Sequence, residues 1–363
     1  MSKETGGFTF ENPEQGGVVI QEQSTCLDIS VVRGKAPERW DDDVSRIGGG
    51  FYLTTGYAEI VARQGAEPLY FRMFRNGEVI GLALGFLTNQ WMRWPGRHLF
   101  RGFQWQTHPV VVGNDPNLLD GFVRSILREV ENIGVASIRL HSEDARMSPA
   151  ASLEGGFTSS ARLEYRVTLS HNPDEVLTRI SSRKRTYLRS AIKASTLAVR
   201  EIRTLDAIEK LIDFQGVSRE RRRKRGEDYA VANQSAAQTI YEDYIKSGLG
   251  RMFLSYQDGT PLSGVLLHCW SGRAYYTMSG CSEQGFALNA PMITVWGAIE
   301  SLCGDGYSEL NMGGVGASAA NPDDLAHGLY RFKRSFGGAE TLCLTFEKKV
   351  PGMRSFVRDL VQR

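Results

Sequence analysis

Cysteine is scarce: five residues in 363 (Cys26, Cys269, Cys281, Cys303 and Cys343), an odd number with no CxxC pair. That excludes a disulfide framework or a thiolate zinc site as organiser of the fold, and fits free thiols in a reducing cytosol. The six histidines are scattered and no two stand at metal-ligand spacing, so no metal site is expected. No apolar run approaches the roughly 20 residues of a membrane span. The opening segment MSKETGGFTFENPEQGG is polar and glycine-rich and lacks the apolar stretch of a signal peptide. A soluble, cytoplasmic protein is expected. An excess of one charge is missing too: 43 Lys and Arg face 41 Asp and Glu, for a net charge of +2. Any surface for a polyanion must therefore be local. Neither a GxSxG elbow nor a Ser-His-Asp or Cys-His signature occurs, which leaves no signal for covalent catalysis.

What is present is a pattern that occurs twice. LYFRMFRNGEVIGLALGFL reads as a strand, an Asn76-Gly77 turn and a second strand. DPNLLDGFVRSILREVENIG reads as a helix, with Asp115 as cap, Pro116 at its first position and Gly134 as its stop, and VASIRLH as the strand after it. In the second half RMFLSYQDGTPLSGVLLHCW is again strand, Asp258-Gly259 turn, strand, and RAYYTMSG adds another strand. NAPMITVWGAIESLCGDG is a helix opened by Asn289 and closed near Gly304, followed by the strand YSELNMG. Hairpin, helix and strand recur in the same order, so the chain reads as two similar α/β domains (α+β mixed sheets) in tandem, joined near residues 158 to 170.

This order resembles the acetyltransferase (GNAT) fold, in which a strand splays from its neighbour and leaves a V-shaped cleft for an acyl carrier. GNAT domains that bind coenzyme A hold its pyrophosphate on backbone amides of a Gln/Arg-x-x-Gly-x-Gly/Ala loop at a helix N-terminus. Here SEQGFALNAPMITVWGAI stands in that place. Gln284, Gly285 and Ala287 echo the loop raggedly, and Pro291 removes one amide donor.

Tandem domains with a worn carrier loop resemble the Fem-type (FemABX) aminoacyltransferases, which move an amino acid from aminoacyl-tRNA onto an amine. The resemblance runs from about residue 39 to 350 and is carried by the order of four segments. These are GGGFYLTTGYAEIVARQGAEPLYF, LEYRVTLSHNPDEVLTRISSRKRTYLRSAIKAS, LNAPMITVWGAIESLCGDGYSELNMGGV and the closing GLYRFKRSFGG. It implies an N-terminal extension and first strand (1–38), a GNAT-like acyltransferase domain (39–164), a second one holding the catalytic cleft (165–350) and a C-terminal helix (351–363). It also implies that Lys333 of the closing motif sits at the cleft. An ammonium there stabilises the oxyanion of the tetrahedral intermediate more than the neutral ester, or holds a phosphate of the substrate or tRNA end. Phe332 walls the cleft, Gly337-Gly338 turn the chain into the last strand, and Arg334 joins the substrate-binding set with Tyr276, Arg221, Arg225 and Asn311. Asn311 takes the place of the Asp that the family strand often carries. Glu309, two residues earlier and on the same strand face, is a candidate proton acceptor. The same closing stretch also reads as a solvated basic turn into an edge strand.

Two stretches suit a polyanion. TRISSRKRTYLRSAIKASTLAVREIR has eight Lys and Arg against one Glu, and SRERRRKRGEDY six against three acids. In the first, Arg183, Lys184, Arg185 and Arg189 share a helix side and are candidates for binding tRNA; a plain solvated face remains open for both. The block NQWMRWPGRHLFRGFQWQTHP, which interleaves Trp91, Trp94, Phe100, Phe103 and Trp105 with arginines, either stacks a base or packs the first sheet. Val61 replaces a lysine that family members often place on the first helix, with Arg63 the nearest cation, and there is no room for the family's long helical arm. These departures bear on the acceptor, a peptidoglycan precursor or a small amine, more than on the chemistry. No cofactor is implied beyond aminoacyl-tRNA as co-substrate. An acyl-CoA-dependent N-acyltransferase and a non-catalytic binding protein are the other readings, and Lys333→Ala separates the last from the two enzymes.

Overall fold

A computed structural model of the chain describes residues 27–89, 101–153, 155–194, 197–226 and 230–350. The expected C-terminal helix, Cys26, and the part of the aromatic-basic block spanning residues 90–100 lie outside them. Within them run β1 (Leu27–Arg33), β2 (Glu67–Arg75), β3 (Glu78–Asn89), β4 (Arg101–Trp105), β5 (Val110–Val111), β6 (Ser137–His141) and β7 (Thr158–Thr168). The second half adds β8 (Ala198–Glu201), β9 (Gly250–Gln257), β10 (Thr260–Trp270), β11 (Arg273–Cys281), β12 (Glu309–Gly316) and β13 (Ala339–Lys349). All belong to one sheet ordered β1-β2-β3-β4-β6-β13-β7-β12-β11-β10-β9-β8, with β5 beside β3.

The duplication is physical. Asn76-Gly77 joins β2 to β3 and Asp258-Gly259 joins β9 to β10, both with paired positive φ (53° and 81°; 48° and 81°). Such two-residue turns match the twist of the strands they connect. In the first half the helix Pro116–Ile133 crosses over so that β6 lies parallel to β4. Asp115 caps it by accepting from the amides of Asn117 and Leu118, and Gly134 ends it in the left-handed region at φ 78°. In the second half the helix Ala290–Gly304 crosses over so that β12 lies parallel to β11. That helix is apolar nearly all round and lies between the sheet and the basic helix Ser182–Ala194, burying Met292, Trp296 and Ile299.

The halves are joined edge to edge by β13, the last strand, which pairs with β6 on one side and β7 on the other. The boundary expected at residues 164/165 falls inside β7. Phe336, just before β13, is buried in the second core with Tyr165 and Trp296, whereas Phe346 within it is buried in the first core with Trp105 and Phe122. Phe103 and Trp105 of the aromatic-basic block also lie in that first core. Each such side chain withdraws apolar surface worth roughly 1.5–3 kcal/mol. Among the described residues no helix is long and apolar enough to cross a membrane.

The sheet opens between β11 and β12. β11 and β12 pair over three positions only, Arg273–Tyr275 against Glu309–Asn311, and then diverge. β12 slips register against β7 between Asn311 and Gly314, with Gly313 at φ 66°. β11 bulges between Tyr276 and Met278. The V so formed is closed from beyond by the segment GLYRFKRSFGG, which is a helix over His327–Arg334 and neither a turn nor a strand. Its stop is geometric: Gly337 sits at φ 73° against the backbone of Arg179, where a side chain has no space.

Candidate functional site

Two cavities meet in the V. The larger, about 950 Å³, is lined by Arg183 and Lys184 from the helix Ser182–Ala194, by Arg221, Arg222 and Arg225 from and just after the helix Leu205–Arg223, and by Arg331 and Arg334. Among the described residues no Asp or Glu lines it. Its apolar wall includes Phe286, Met292, Leu329 and Phe332. The Arg221 guanidinium lies 3.6 Å from the Phe286 ring centroid, a cation–π contact that fixes the arginine at the rim. The smaller cavity, about 350 Å³, is lined by Tyr52, Glu143, Arg162, Glu164, Gln215 and Lys333 among others. The two share Arg222, Tyr276, Ser279 and Leu329.

Lys333 stands at the throat. Its helix turns Tyr330, Lys333 and then Phe336 inward at intervals of three, leaving Arg331 and Arg334 on the larger cavity. The Lys333 side chain is only 6% exposed; its Nζ donates to the Gly314 carbonyl at 3.1 Å and lies 5.4 Å from the Tyr276 ring centroid. Burial, with Arg162 adding repulsion, brings its pKa down to about 7, against the opposing pull of Glu164 and Glu143. Gly313 makes this possible: a Cβ there would meet the Tyr276 carbonyl at 3.1 Å and Lys333 Nζ at 3.3 Å.

Behind the throat is a buried polar network to which both halves contribute. Asn311, 3% exposed, donates through Nδ2 to Glu164 (3.0 Å) and Asp144 (3.3 Å), and its Oδ1 accepts from the Gly313 amide at 2.8 Å. An aspartate could not donate to these two carboxyl groups, so the amide at this position orients Glu164 and holds the bulge. Glu164 also accepts from the Asp144 amide, and Tyr275 donates to the Asp144 carboxyl at 2.9 Å. Arg162 pairs with Glu143 at 2.5 Å. Burial and the nearby Glu143 carboxyl push the Tyr52 hydroxyl well above its usual pKa, which keeps it a neutral donor.

The sequence-derived candidates divide accordingly. Lys333 and Asn311 line the smaller cavity, Phe332, Arg221, Arg225, Arg334, Arg183 and Lys184 the larger, and Tyr276 both. Arg185 and Arg189 line neither, and Arg185 instead donates to the Thr178 carbonyl at 2.6 Å, tying its helix to the one before. Glu309 lines neither cavity: Arg146 holds both its oxygens, at 2.8 and 3.0 Å. Tyr52, Glu143, Arg162, Glu164, Gln215 and Arg222 were not read from the sequence as site residues. Arg222 lay within a basic stretch already singled out, and Tyr52 and Glu164 within two of the four resemblance segments; Glu143, Arg162 and Gln215 carry no local signal.

The stretch in the carrier-loop position forms a short helix, Glu283–Ala287, and not an open loop. The amides of Gly285, Phe286, Leu288 and Asn289 are each taken by acceptors within the segment, from the Ser282 hydroxyl to the Phe286 carbonyl. Amides so engaged are not offered to a pyrophosphate.

Residues 180–334 match the family model of an acetyltransferase (GNAT) domain. The fold that these elements define is two GNAT-like α/β halves in tandem, the second of which carries the matched acetyltransferase domain. In particular, the chain is similar to the crystal structure of FemX, with a TM-score of 0.70 and 15% identity over 92% of this chain and 100% of that one. It is also similar to L-PGS from Bacillus licheniformis, with a TM-score of 0.51 and 12% identity over 90% and 98% of the two chains. No curated protein matches the sequence.

Proposed function

We propose that this chain is an amide-forming aminoacyltransferase that moves an amino acid from aminoacyl-tRNA to a small amine or peptidoglycan-type acceptor. The observation that carries the reading is a large cavity whose charged lining, among the described residues, is seven cations, and which meets the Lys333 cavity at Tyr276, Ser279 and Leu329, beside a carrier segment with four amides already used. The 3′ end of a tRNA offers phosphates to such a rim and an already activated ester to the throat. The likeness to FemX in fold supports the same direction.

No protein nucleophile is needed. The acceptor amine attacks the ester carbonyl, the new C–N bond forms, and the C–O bond to the ribose breaks. The ribose oxygen leaves as a hydroxyl after taking a proton released by the amine. In its charged form Lys333 stabilises the intermediate oxyanion, and an interaction of that kind typically contributes about 10²- to 10³-fold in rate. Gly313 and the Asn311 amide hold the strand that faces it. A second reading, an acyl-CoA-dependent N-acyltransferase, is favoured by the family-model match to an acetyltransferase domain. The two are separated by offering radiolabelled amino acids charged onto total tRNA, with amine acceptors, with and without RNase. Product that disappears on RNase treatment supports the tRNA donor. Product that persists and requires acyl-CoA overturns it.

A further inference from the structure

The two cavities differ in charge balance as well as in size. Among the described residues every charged group lining the larger is a cation, whereas the smaller sets Glu143 and Glu164 against Arg162, Arg222 and Lys333. The Oε1 of Gln215, which lines the smaller cavity, is buried and has no hydrogen-bond partner among the described residues. A buried acceptor oxygen without a donor is costly unless a ligand supplies one. The cavity volume of about 350 Å³ stands at the low end of small-molecule sites.

Resting on the aminoacyl-transfer reading, we propose that the smaller cavity is the acceptor site. It is built for a small zwitterion, a free amino acid or a dipeptide-sized amine carrying its own carboxylate. The acceptor's N–H satisfies Gln215 and is presented past Tyr276 to the ester in the larger cavity. Its carboxylate lies toward Arg162 and Arg222. A nucleoside-diphosphate-linked acceptor fits poorly, because a cavity of about 350 Å³ does not hold the nucleotide and the cationic cavity beside it is occupied by the donor. The acceptor amine forms the C–N bond and gives up its protons, one to the departing ribose oxygen and, if it arrives as ammonium, one to solvent. The acceptor's carboxylate is unchanged, so the product has the free carboxyl terminus of a peptide.

The test is calorimetric titration of the full chain without any donor. The probes are the twenty free amino acids, their glycyl dipeptides, the N-acetyl and carboxamide forms of whichever binds, and a UDP-linked muramyl pentapeptide. The expected result is saturable binding of at least one zwitterion, weakened about tenfold or more by N-acetylation and again by amidation. Gln215→Leu is expected to weaken it about tenfold, and Arg162→Gln to remove the preference for acid over amide. Arg162 is paired with Glu143, so Gln215→Leu, checked for unchanged circular dichroism, carries the test if the arginine variant does not fold. Absence of binding by every zwitterion, tighter binding of the nucleotide-linked probe, or an unaffected Gln215→Leu overturns the proposal. Since no donor is present, this outcome is independent of the RNase experiment: acceptor binding with acyl-CoA-dependent turnover would sink the donor reading and leave the acceptor site standing.

Discussion

Lys333 is held where its charge is marginal. A lysine amine ordinarily stays protonated to about pH 10, but burial and Arg162 bring this one to about 7. If the ammonium is the form that stabilises the oxyanion, kcat falls as pH rises through about 7, against the rising limb expected from deprotonation of the acceptor amine. The falling limb should vanish in Lys333→Ala, with turnover down about 10²- to 10³-fold and acceptor binding largely kept. A limb that rises through pH 7 and disappears in the same variant would make Lys333 the proton acceptor instead. The same depression has a sign in stability. Between pH 7 and 10.5 the unfolded chain binds the extra proton, so stability decreases as pH falls through that window and the full cost is present below 7. Lys333→Met removes the charge but leaves the Gly314 carbonyl without its donor. Its melting temperature relative to wild type should therefore be more favourable at pH 6 than at pH 9 by a few degrees, reflecting roughly 2 to 3 kcal/mol. A difference that does not move with pH would mean that the amine is not buried as described. Lys333 was legible because its neighbours Phe332, Arg334 and Gly337 form one contiguous motif. Glu164 and Glu143 were not, since each is a single acid on an ordinary strand or strand end, brought to the lysine only by pairing across the sheet.

At the scale of elements, local chemistry predicts local structure well. Asn76-Gly77, Asp258-Gly259, the Asp115 cap and Gly134 each act within a few residues, and each strand turn or helix end falls where those residues stand. Asp115→Ala should cost about 1 kcal/mol in urea unfolding, because two helix amides lose their acceptor. Less legible was which side of the basic helix is used. Spacing grouped Arg183, Lys184, Arg185 and Arg189, but the turn after the helix Pro173–Arg179 aims only the first two into the larger cavity. Replacing Arg183 and Lys184 by Gln together should lower the slope of log affinity for tRNA against log salt by about 1.4, that is 0.7 for each phosphate contact on single-stranded nucleic acid. Arg189→Gln should change it by less. Equal effects from both variants would show that the helix is a diffuse basic face and that the cavity does not select among its cations.

For the molecule as a whole, the order of pairing decides cooperativity. β13 hydrogen-bonds to β6 and to β7 and sends Phe336 and Phe346 into different cores, so neither half has a complete sheet without it. Calorimetry of the intact chain should show one transition; two well-separated transitions would indicate that each half keeps its own stability. Truncation after Gly338 leaves β6 and β7 as open edges and should abolish cooperative melting in both halves. None of this was visible in the repeat: hairpin, helix and strand are local patterns, whereas the insertion of a late strand between two earlier ones is a long-range pairing with no periodic mark. The placement also has a consequence for biosynthesis. On the ribosome, β6 and β7 emerge roughly 200 residues before their shared partner, and the helix bearing Lys333 comes immediately ahead of that partner. The nascent chain therefore carries two unpaired strand edges, and no finished throat, through the translation of the entire second half. Chaperone demand should peak in that interval, and an interrupted message should yield a product without a complete throat.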